Sequence, residues 1–500
     1  MVRRRDIPLQ STSRAKSVHR ALTGMLAMLT LFLSTLSAAE VALDSRDLTS
    51  AQDDAAREEW AYSLGVQAYV FGLPLVVFER ESALRTDAAK IARVKHKCPC
   101  EMMNGMGHKN DLATADDVMP YTPNNDTVYS GALLDFSDEP VILSLPDIED
   151  RYWSVQVANP YTENKFYIGS RATGGKGGHH AFIAPDWQGE LPAGVVPHRL
   201  DYDSAMIALR IGVIPGDEQD LRELNKLQHL AVITSLSNFP DESKRGQAGI
   251  PESAMSRPGF QGDLAYFQLM AAMMTRFPPA PQHDAMVNQF KLIGLEVGKP
   301  FDPAALDEAT RRGLLRALAD GKSIMKWKVK YRGTPYATRW NNLHPGTYNF
   351  DYFDRAAGAL EGLFVHDREE AVYFSTYESA DGKFLDGGKK YRMHFDKDEL
   401  PPTMDNGFWS LTMYGLNFQL VKNDIDRFSI GDRTPGLKFN EDGSLDVYIQ
   451  NTPPEGRESN WLPSPPEGMF RINYRIYLPE ERTRNPQTLQ KYIPGIASGE

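Results

Sequence analysis

Cysteine is scarce in this sequence. Its 500 residues contain only Cys98 and Cys100, which excludes a framework of several disulfides. The pair flanks Pro99, and in an oxidising compartment it invites a disulfide, although a bridge across one residue would be strained and reducible. A soft-metal site with His96 and His108 is an alternative, but zinc sites space their cysteines more widely. We expect a loop with two thiols and no chemistry of its own.

Basic residues are also fewer than acidic ones. The chain has 66 acidic and 55 basic residues, a formal net charge of −11. Several of the basic residues lie before position 21, so the remainder is more acidic than the total indicates. Such a surface repels phosphate backbones and anionic lipid. We therefore expect no nucleic-acid partner and no binding to a membrane surface.

Long hydrophobic runs are confined to the N-terminus. The basic region up to Arg20 is followed by a short apolar run, Ala21 to Leu36, and then by Ser37-Ala38-Ala39. This order is typical of a signal peptide cleaved after Ala39, whereas a membrane anchor needs about 20 apolar residues. No later stretch looks apolar enough to span a bilayer. The sequence predicts a periplasmic or secreted protein without a membrane span after cleavage.

Familiar catalytic motifs are missing as well. The sequence has no Gly-x-Ser-x-Gly elbow and no His-Glu-x-x-His, which removes the easiest serine-hydrolase and zinc-protease interpretations. The glycine-rich run from Gly169 to Lys176 resembles a phosphate loop, but Gly177 stands where Ser or Thr should follow. Function must therefore be sought in less standard patterns.

Helical and strand patterns alternate along the chain. Residues 53–90 have an apolar stripe of Trp60, Leu64, Ala68 and Phe71, and Pro74 should break or kink that helix. Short alternating runs bounded by turn residues predict antiparallel strands in two later regions. The sequence predicts an α+β protein with two antiparallel β-sandwich, jelly-roll-like domains joined by a mainly helical segment. The expected parts are a signal peptide (1–39), a linker with N-terminal helices (40–114), a first β domain (115–213), a helical insert (214–365) and a second β-sandwich domain (366–500).

One C-terminal strand, 469–477, alternates cleanly between two kinds of side chain. Because successive side chains point to opposite faces, one face should be apolar and the other polar. The apolar face consists of Phe470, Ile472, Tyr474 and Ile476, and the polar face of Arg471, Asn473 and Arg475.

Polar residues concentrate in the run from Asn124 to Ser130, where turn chemistry and a functional site are equally good explanations. In a site, Asp126 would be the general acid or base, Tyr129 a proton donor and His108 a partner of Asp126. Asn125 would bind the ligand.

Other binding candidates lie further along the chain. Arg171 and Arg427 could anchor developing negative charge, although a structural ion pair is the commoner role of an arginine on a strand. Trp409 could line a pocket or belong to the core. Asn460 and Trp461 form a proline-flanked loop that either plugs a core or lines a site.

Motifs in both halves of the chain resemble bacterial families of unknown function. The motifs that resemble family 1254 are Asn125-Asp126-Thr127-Val128-Tyr129-Ser130, Asp150-Arg151-Tyr152, Gly169-x-Arg171-x-Thr173-Gly174 and Gly189-Glu-Leu-Pro192. Those that resemble its usual companion, family 1214, include Ala371-Val-Tyr373, Phe408-Trp409-Ser410-Leu-Thr412, Asp442-Gly443-Ser444 and Asn460-Trp461-Leu462-Pro463. The resemblance implies two jelly-roll-like domains joined by helices in an exported protein. It implies no agreed activity, so it carries over no catalytic residue and no cofactor.

Two functions fit these observations. The first is a hydrolase or lyase acting on a small polar or sugar-like molecule through Asp126, Tyr129 and His108. The alternative is a non-catalytic periplasmic ligand-binding or envelope-assembly protein, with Trp409 and Trp461 on its recognition surface. Either function implies a small-molecule or partner site, while the sequence names no metal ligand set, cofactor or oligomeric state.

Overall fold

The computed structural model describes residues 49–95, 97–117, 122–255 and 259–499. The predicted signal peptide lies outside these residues. The chain divides into a unit of residues 1–56, described only from Thr49, and a unit of residues 57–500. The architecture below is that of the second unit.

Helices occupy the N-terminal region and the middle of the chain, and one short helix lies near the C-terminus. Their bounds are α1 Ser50–Arg85, α2 Ala88–Val94, α3 Glu218–Gln228, α4 Glu252–Met255, α5 Ala265–Arg276, α6 Asp284–Val287, α7 Glu308–Lys330, α8 Tyr352–Glu361 and α9 Glu481–Arg484. Of the predicted break or kink at Pro74, the break is wrong, because Pro74 lies inside α1; burial on both sides of it offsets the hydrogen bond that proline removes. Leu64, Ala68 and Phe71 are buried as predicted, whereas Trp60 is 52% exposed because it precedes the buried part of the helix.

Helix α1 also corrects the expectation about apolar runs. By length and composition it could cross a membrane, with a mean hydropathy of 1.6 in its most apolar window. However, 67% of that window is buried inside the protein, against α5 and α7. Phe71, Phe78, Met270, Met274 and Leu314 share this helical core. The burial is that of a core helix.

The first β region contains two sheets. Its strands are β1 Gly107–Lys109, β2 Thr127–Asp135, β3 Val141–Leu145, β4 Trp153–Ala158, β5 Asn164–Gly169, β6 Gly178–Ile183, β7 Val195–Arg199, β8 Ser204–Gly212 and β9 Val232–Ser235. One sheet has the order β1-β2-β8-β4-β5 and the other β7-β6-β3-β9. Leu143 and Phe182 of the second sheet share a core with Val155 and Ile207 of the first. Pairing is antiparallel except between β6 and β7.

The second β region repeats this plan. Its strands are β10 Thr334–Pro335, β11 Asn341–Asn342, β12 Ala371–Thr376, β13 Tyr391–Phe395, β14 Thr403–Gly415, β15 Ser429–Gly431, β16 Leu445–Gln450, β17 Trp461–Pro463, β18 Phe470–Pro479 and β19 Ile496–Ser498. The sheets have the orders β10-β11-β12-β18-β14-β15 and β17-β16-β13-β19. Leu411 and Ile472 of one sheet share a core with Met393 and Val447 of the other. The chain thus combines helices with several mostly antiparallel sheets, and the predicted mixture of α and β structure is confirmed.

The predicted helical middle segment also contributes strands. β9 pairs with β3 of the first region, and β10 and β11 extend the large sheet of the second. These strands contain only two to four residues, too few for a period of two to stand out in the sequence.

Strand β18 shows the predicted two faces, but its surroundings differ from those of an ordinary sheet surface. Phe470, Ile472, Tyr474 and Ile476 lie in the core between the two sheets. Arg471, Asn473 and Arg475 point the other way, and each is at most 5% exposed. The polar face of the central strand is therefore buried, and it faces the first β region across a cavity.

Candidate functional site

A cavity of about 210 Å³ lies where the two β regions and the helical region meet. The first β region contributes Tyr129, Gly131 and Leu133 from β2 and Met206, Ala208 and Arg210 from β8. The second contributes Tyr373 from β12 and Asn473, Arg475 and Tyr477 from β18. A water molecule occupies ~30 Å³ in the liquid, so there is room for several waters or a small organic molecule.

The wall formed by β2 and β8 follows directly from strand register. Across this antiparallel pair Tyr129 faces Arg210, Gly131 faces Ala208 and Leu133 faces Met206. Alternate residues share a face, so these three pairs form successive rows on the cavity side. The wall therefore changes from a polar cationic row through a row of small residues to an apolar row.

Arg210 is buried in the polar row without an ion-pair partner among the described residues. Its Nη1 donates to Gln156 Oε1 at 2.8 Å, and its Nη2 donates to the carbonyl of Phe364 at 2.9 Å. The guanidinium lies 5.3 Å from the Tyr129 ring centroid. Neutral groups therefore hold the guanidinium in place, and no carboxylate of the described part of the chain contacts it directly.

Arg475 occupies a similar position on the opposite wall. Its Nη1 donates to Thr412 Oγ1 at 2.8 Å, while Nη2 donates to the Thr122 carbonyl at 3.1 Å and to the Tyr414 hydroxyl at 2.8 Å. Asp126 acts on this guanidinium electrostatically but forms no ion pair with it within the described chain. Arginine stays charged in proteins, so two buried cations border the cavity.

The carboxylates near these arginines are bonded elsewhere. The carboxylate of Glu370 interacts electrostatically with Arg210, but its ion-pair partner is Arg171, whose Nε lies 2.8 Å away. Asp126 accepts a hydrogen bond from Ser410 Oγ at 2.6 Å. The whole lining contains five arginines and two glutamates, a positive excess within an acidic protein.

Several polar atoms of the lining have no hydrogen-bond partner among the described residues. They include Oδ1 of Asn473 and Nε and Nη1 of Arg85, and these three atoms are buried. Buried polar groups are nearly always satisfied by protein, water or a ligand. Burial raises the pKa of Tyr373 and of Tyr477, so both phenols keep their protons near neutral pH and can donate hydrogen bonds.

Cys98 and Cys100 also line the cavity, and they form a disulfide. The expectation of two thiols is therefore wrong. Both residues are buried against Ile91 in a small apolar cluster, which keeps them close together. His96 lies outside the described residues.

The predicted catalytic residues do not converge on one point. Tyr129 lines the cavity, but the neighbouring Ser130 points to the opposite face of β2, where its Oγ lies 2.9 Å from Nδ1 of His108. Burial, together with the electrostatic effect of neighbouring His229, lowers the pKa of His108 to about 4. Asp126 precedes β2 and contacts the second β region. The three side chains therefore do not form an acid–base group.

The polar run around Asp126 joins the two β regions. Asn124 Nδ2 donates to the Tyr477 hydroxyl at 2.7 Å, and its Oδ1 accepts from the backbone of Asp126 and Thr127. Asn125 Nδ2 donates to the Ala113 carbonyl at 2.6 Å, while its Oδ1 accepts from Ser429 at 3.4 Å. These contacts combine turn formation with attachment to the second region. The spacing of these residues along the sequence did not indicate that they attach to the second β region.

The other predicted binding residues lie away from the cavity lining. Arg171 pairs with buried Glu370, and Trp409 packs in the core of the second β region. Arg427 Nη1 donates to the carbonyls of Glu458 and Trp461 at 2.7 and 3.0 Å. Asn460 and Trp461 are also buried; Asn460 Nδ2 donates to the Lys438 and Asp446 carbonyls, and Trp461 Nε1 to that of Gln450. The polar atoms of Arg427, Asn460 and Trp461 therefore hold loops in place.

Sequence reasoning missed Arg210, Asn473, Arg475 and Tyr477 as site residues. The alternation of β18 did identify the face on which three of them lie. A polar face on a strand is normally attributed to solvent. Only the packing of the second β region against the first turned that face into a cavity wall.

Another cluster, of one histidine and two aspartates, has the residue types of a metal site. The ligand atoms of His344, Asp351 and Asp354 all lie within 4.8 Å of one another. However, Lys328 Nζ and Arg332 Nε lie 3.1 and 3.3 Å from Asp354 Oδ1, and two adjacent cations oppose the binding of another. Hydrogen bonds to Asp351 and Asp354 raise the pKa of His344 to about 9. The arrangement is that of an ion cluster around a protonated histidine.

Both β regions match known families. Residues 103–235 match the model of DUF1254 and residues 370–481 that of DUF1214, each described as a protein of unknown function. The two matches follow one another in that N- to C-terminal order, so the predicted pairing is confirmed.

Two solved structures are similar to this chain. The VPA0106 protein from Vibrio parahaemolyticus aligns with a TM-score of 0.60 and 23% identity over 88% of this chain and 100% of its own, a likeness of fold. An uncharacterised protein from Burkholderia cenocepacia aligns with a TM-score of 0.39 and 13% identity, over 86% of this chain and 94% of its own. No curated protein matches the sequence.

Proposed function

We propose that this protein binds a small organic molecule in the cavity between its two β regions. The observation that carries the proposal is a set of buried polar atoms on the cavity wall, Asn473 Oδ1 and two nitrogens of Arg85, that have no hydrogen-bond partner among the described residues. Leaving such an atom unsatisfied costs about 1–3 kcal/mol, and a ligand with matching polar groups would recover part of that energy. This is the ligand-binding alternative of the two functions considered from the sequence.

A hydrolase or lyase built on Asp126, Tyr129 and His108 has less support. General acid–base catalysis requires its groups within hydrogen-bond reach of one reacting molecule. His108 is bonded to Ser130 on the other face of β2, and Asp126 is engaged by Ser410. A ligand beside Tyr129 would therefore meet neither of them.

The architecture suits a preformed binding site. We take each β region to be a sandwich of the jelly-roll type, so that the cavity lies between two rigid sheets. Binding then requires little ordering of the protein, which favours affinity because less entropy is lost.

We also propose that the protein works outside the cytoplasm, as its N-terminal sequence suggests. The mature chain would begin at Glu40, after cleavage behind Ala39. The intact mass of the protein recovered from the periplasm of an expressing bacterium measures the cleavage position. A mass that retains residues 1–39 would contradict the proposal.

Filling the cavity is expected to abolish ligand binding. Ala208 lies in the middle row of the β2–β8 wall and Leu360 on the helical side, so Ala208→Phe and Leu360→Trp insert bulk from opposite directions. A panel of small acids, alcohols, amines and sugars is tested by thermal unfolding. A compound at 100 times its Kd stabilises the native state by ~2.7 kcal/mol, which raises the melting temperature measurably.

At least one compound should stabilise the natural protein and neither filled variant. Leu292→Trp is the matched control, because Leu292 is 64% exposed and the same substitution there leaves the cavity unchanged. Circular dichroism verifies that each variant is folded. If no compound stabilises the natural protein, or if stabilisation persists in both filled variants, the cavity is not a binding site.

A further inference from the structure

We infer that the molecule bound in this cavity is a straight-chain carboxylate, with its head between Arg210 and Arg475 and its chain along the apolar row of Leu133 and Met206. The inference rests on the proposed binding function and specifies the chemistry of the ligand. Its basis is the presence, within one cavity, of an apolar surface and of two guanidiniums that form no ion pair with any described residue.

The head group is defined by charge. Arg210 and Arg475 come from different β regions, both are buried, and their hydrogen-bond partners are neutral oxygens. A buried charge without a carboxylate in direct contact is unfavourable, and an anionic ligand would reduce that cost. A cationic ligand would add to it.

Guanidinium geometry favours a carboxylate. The planar fork of arginine matches the two oxygens of a carboxylate and can donate two parallel hydrogen bonds. The protonated phenols of Tyr373 and Tyr477 offer further donors on the same wall. Tyr477 accepts a hydrogen bond from Asn124, which fixes its hydroxyl group in position.

The fixed arginines need little reorganisation when a ligand arrives. Each guanidinium donates at least two hydrogen bonds to groups on neighbouring strands or loops. A preorganised site loses less conformational entropy on binding than one with free side chains. This arrangement is consistent with recognition of one charged head group.

The apolar cavity wall next to the head-group position indicates that the rest of the ligand is an apolar chain. The row of Gly131 and Ala208 adjoins the Tyr129–Arg210 row, with Pro99 close to Gly131, and Leu133 and Met206 follow it. Leu360 and Leu363 continue the apolar surface from the helical side. Each buried methylene of a ligand contributes ~0.8 kcal/mol, so affinity should rise with chain length until the cavity is full.

Isothermal titration calorimetry of the full protein tests the inference with matched eight-carbon probes. Octanoate, octan-1-ol, octylamine and octyl phosphate share the chain and differ in the head group. We expect octanoate to bind most tightly, octylamine not to bind, and affinity in a series from butanoate to dodecanoate to pass through a maximum. Arg210→Gln and Arg475→Gln should each weaken octanoate binding by about 10- to 100-fold.

The control is Arg222→Gln, an exposed arginine whose replacement should leave affinity unchanged. Arg210→Lys and Arg475→Lys keep the charge and lose the fork, so they provide folded alternatives if a glutamine variant fails to fold. They should weaken octanoate binding less than the glutamine variants do.

The possible outcomes separate this inference from the proposed function. Equal binding of octanol, tighter binding of octyl phosphate, or unchanged octanoate affinity in the arginine variants would overturn the carboxylate assignment while leaving a binding cavity. The same holds if another compound class binds and Ala208→Phe abolishes it. If no compound binds at all, both proposals fail.

Discussion

Replacing Glu361 with glutamine is expected to lower the free energy of unfolding by ~3–5 kcal/mol, the usual effect of breaking a buried ion pair. Glu361 ends helix α8 and is 5% exposed. Its carboxylate lies 3.3 Å from Arg332 Nη1 and 2.6 Å from Arg471 Nη2, and both arginines are almost fully buried. The substitution leaves two buried cations sharing a neutral amide.

The effect should be large because Arg471 depends on this contact. Its Nε and Nη1 donate no hydrogen bond among the described residues, so Glu361 is its main polar partner there. Arg332 also pairs with Asp354 and donates to the Tyr348 hydroxyl, so it keeps these two polar contacts when Glu361 is replaced. Glu361 therefore joins the helical region to the polar face of β18.

Chemical denaturation of Glu361→Gln beside the natural protein measures the loss. Glu369→Gln is the control, since it makes the same chemical change at an exposed position a few residues away. A loss below about 1 kcal/mol, or equal losses in the two variants, would mean that the buried pair contributes little more than a surface charge.

Replacing Asp126 with asparagine is expected to destabilise the protein by ~1.5–3 kcal/mol, the usual worth of a hydrogen bond to a charged group. The buried carboxylate accepts from Ser410 Oγ at 2.6 Å and lies in the electrostatic field of Arg433 and Arg475. The general acid or base role that the sequence suggested for Asp126 would instead predict lost turnover with folding intact.

Ser410→Ala separates the two contributions. It removes the hydrogen bond and keeps the negative charge beside the arginines. A double-mutant cycle of Asp126→Asn and Ser410→Ala, followed by urea unfolding, gives their coupling. If Asp126→Asn were as stable as the natural protein and lost a ligand-dependent activity, Asp126 would belong to a reaction site after all.

Local patterns predicted much of the secondary structure. Val141–Leu145, Tyr391–Phe395 and Leu445–Gln450 lie in the two regions where strands were predicted, because β-branched and aromatic residues between turn residues favour strands. Helix α1 was also expected, but its continuation through Pro74 was not. A buried helix tolerates a proline that would interrupt an isolated one.

The candidate site was only partly predictable. Tyr129 was recognised because it stands in a dense polar motif, and the polar face of β18 was recognised from its period of two. Arg210 gave no signal, since it is a single arginine in an otherwise apolar strand. Arg210 matters because it borders the same cavity as Arg475. The two residues are 265 positions apart in the sequence, and no local pattern relates residues at that separation.

By itself, the sequence determined the family pairing, the alternation of helices and strands, and which side chains share a face of each strand. These properties depend on neighbouring residues, and the chain geometry repeats them every two or every 3.6 positions. Tertiary structure alone decided that the polar face of β18 is buried, that Asp126 joins two β regions, and that Arg210 and Arg475 border one cavity. These properties depend on contacts between distant segments, where packing sets the environment and hence the energy of each charge.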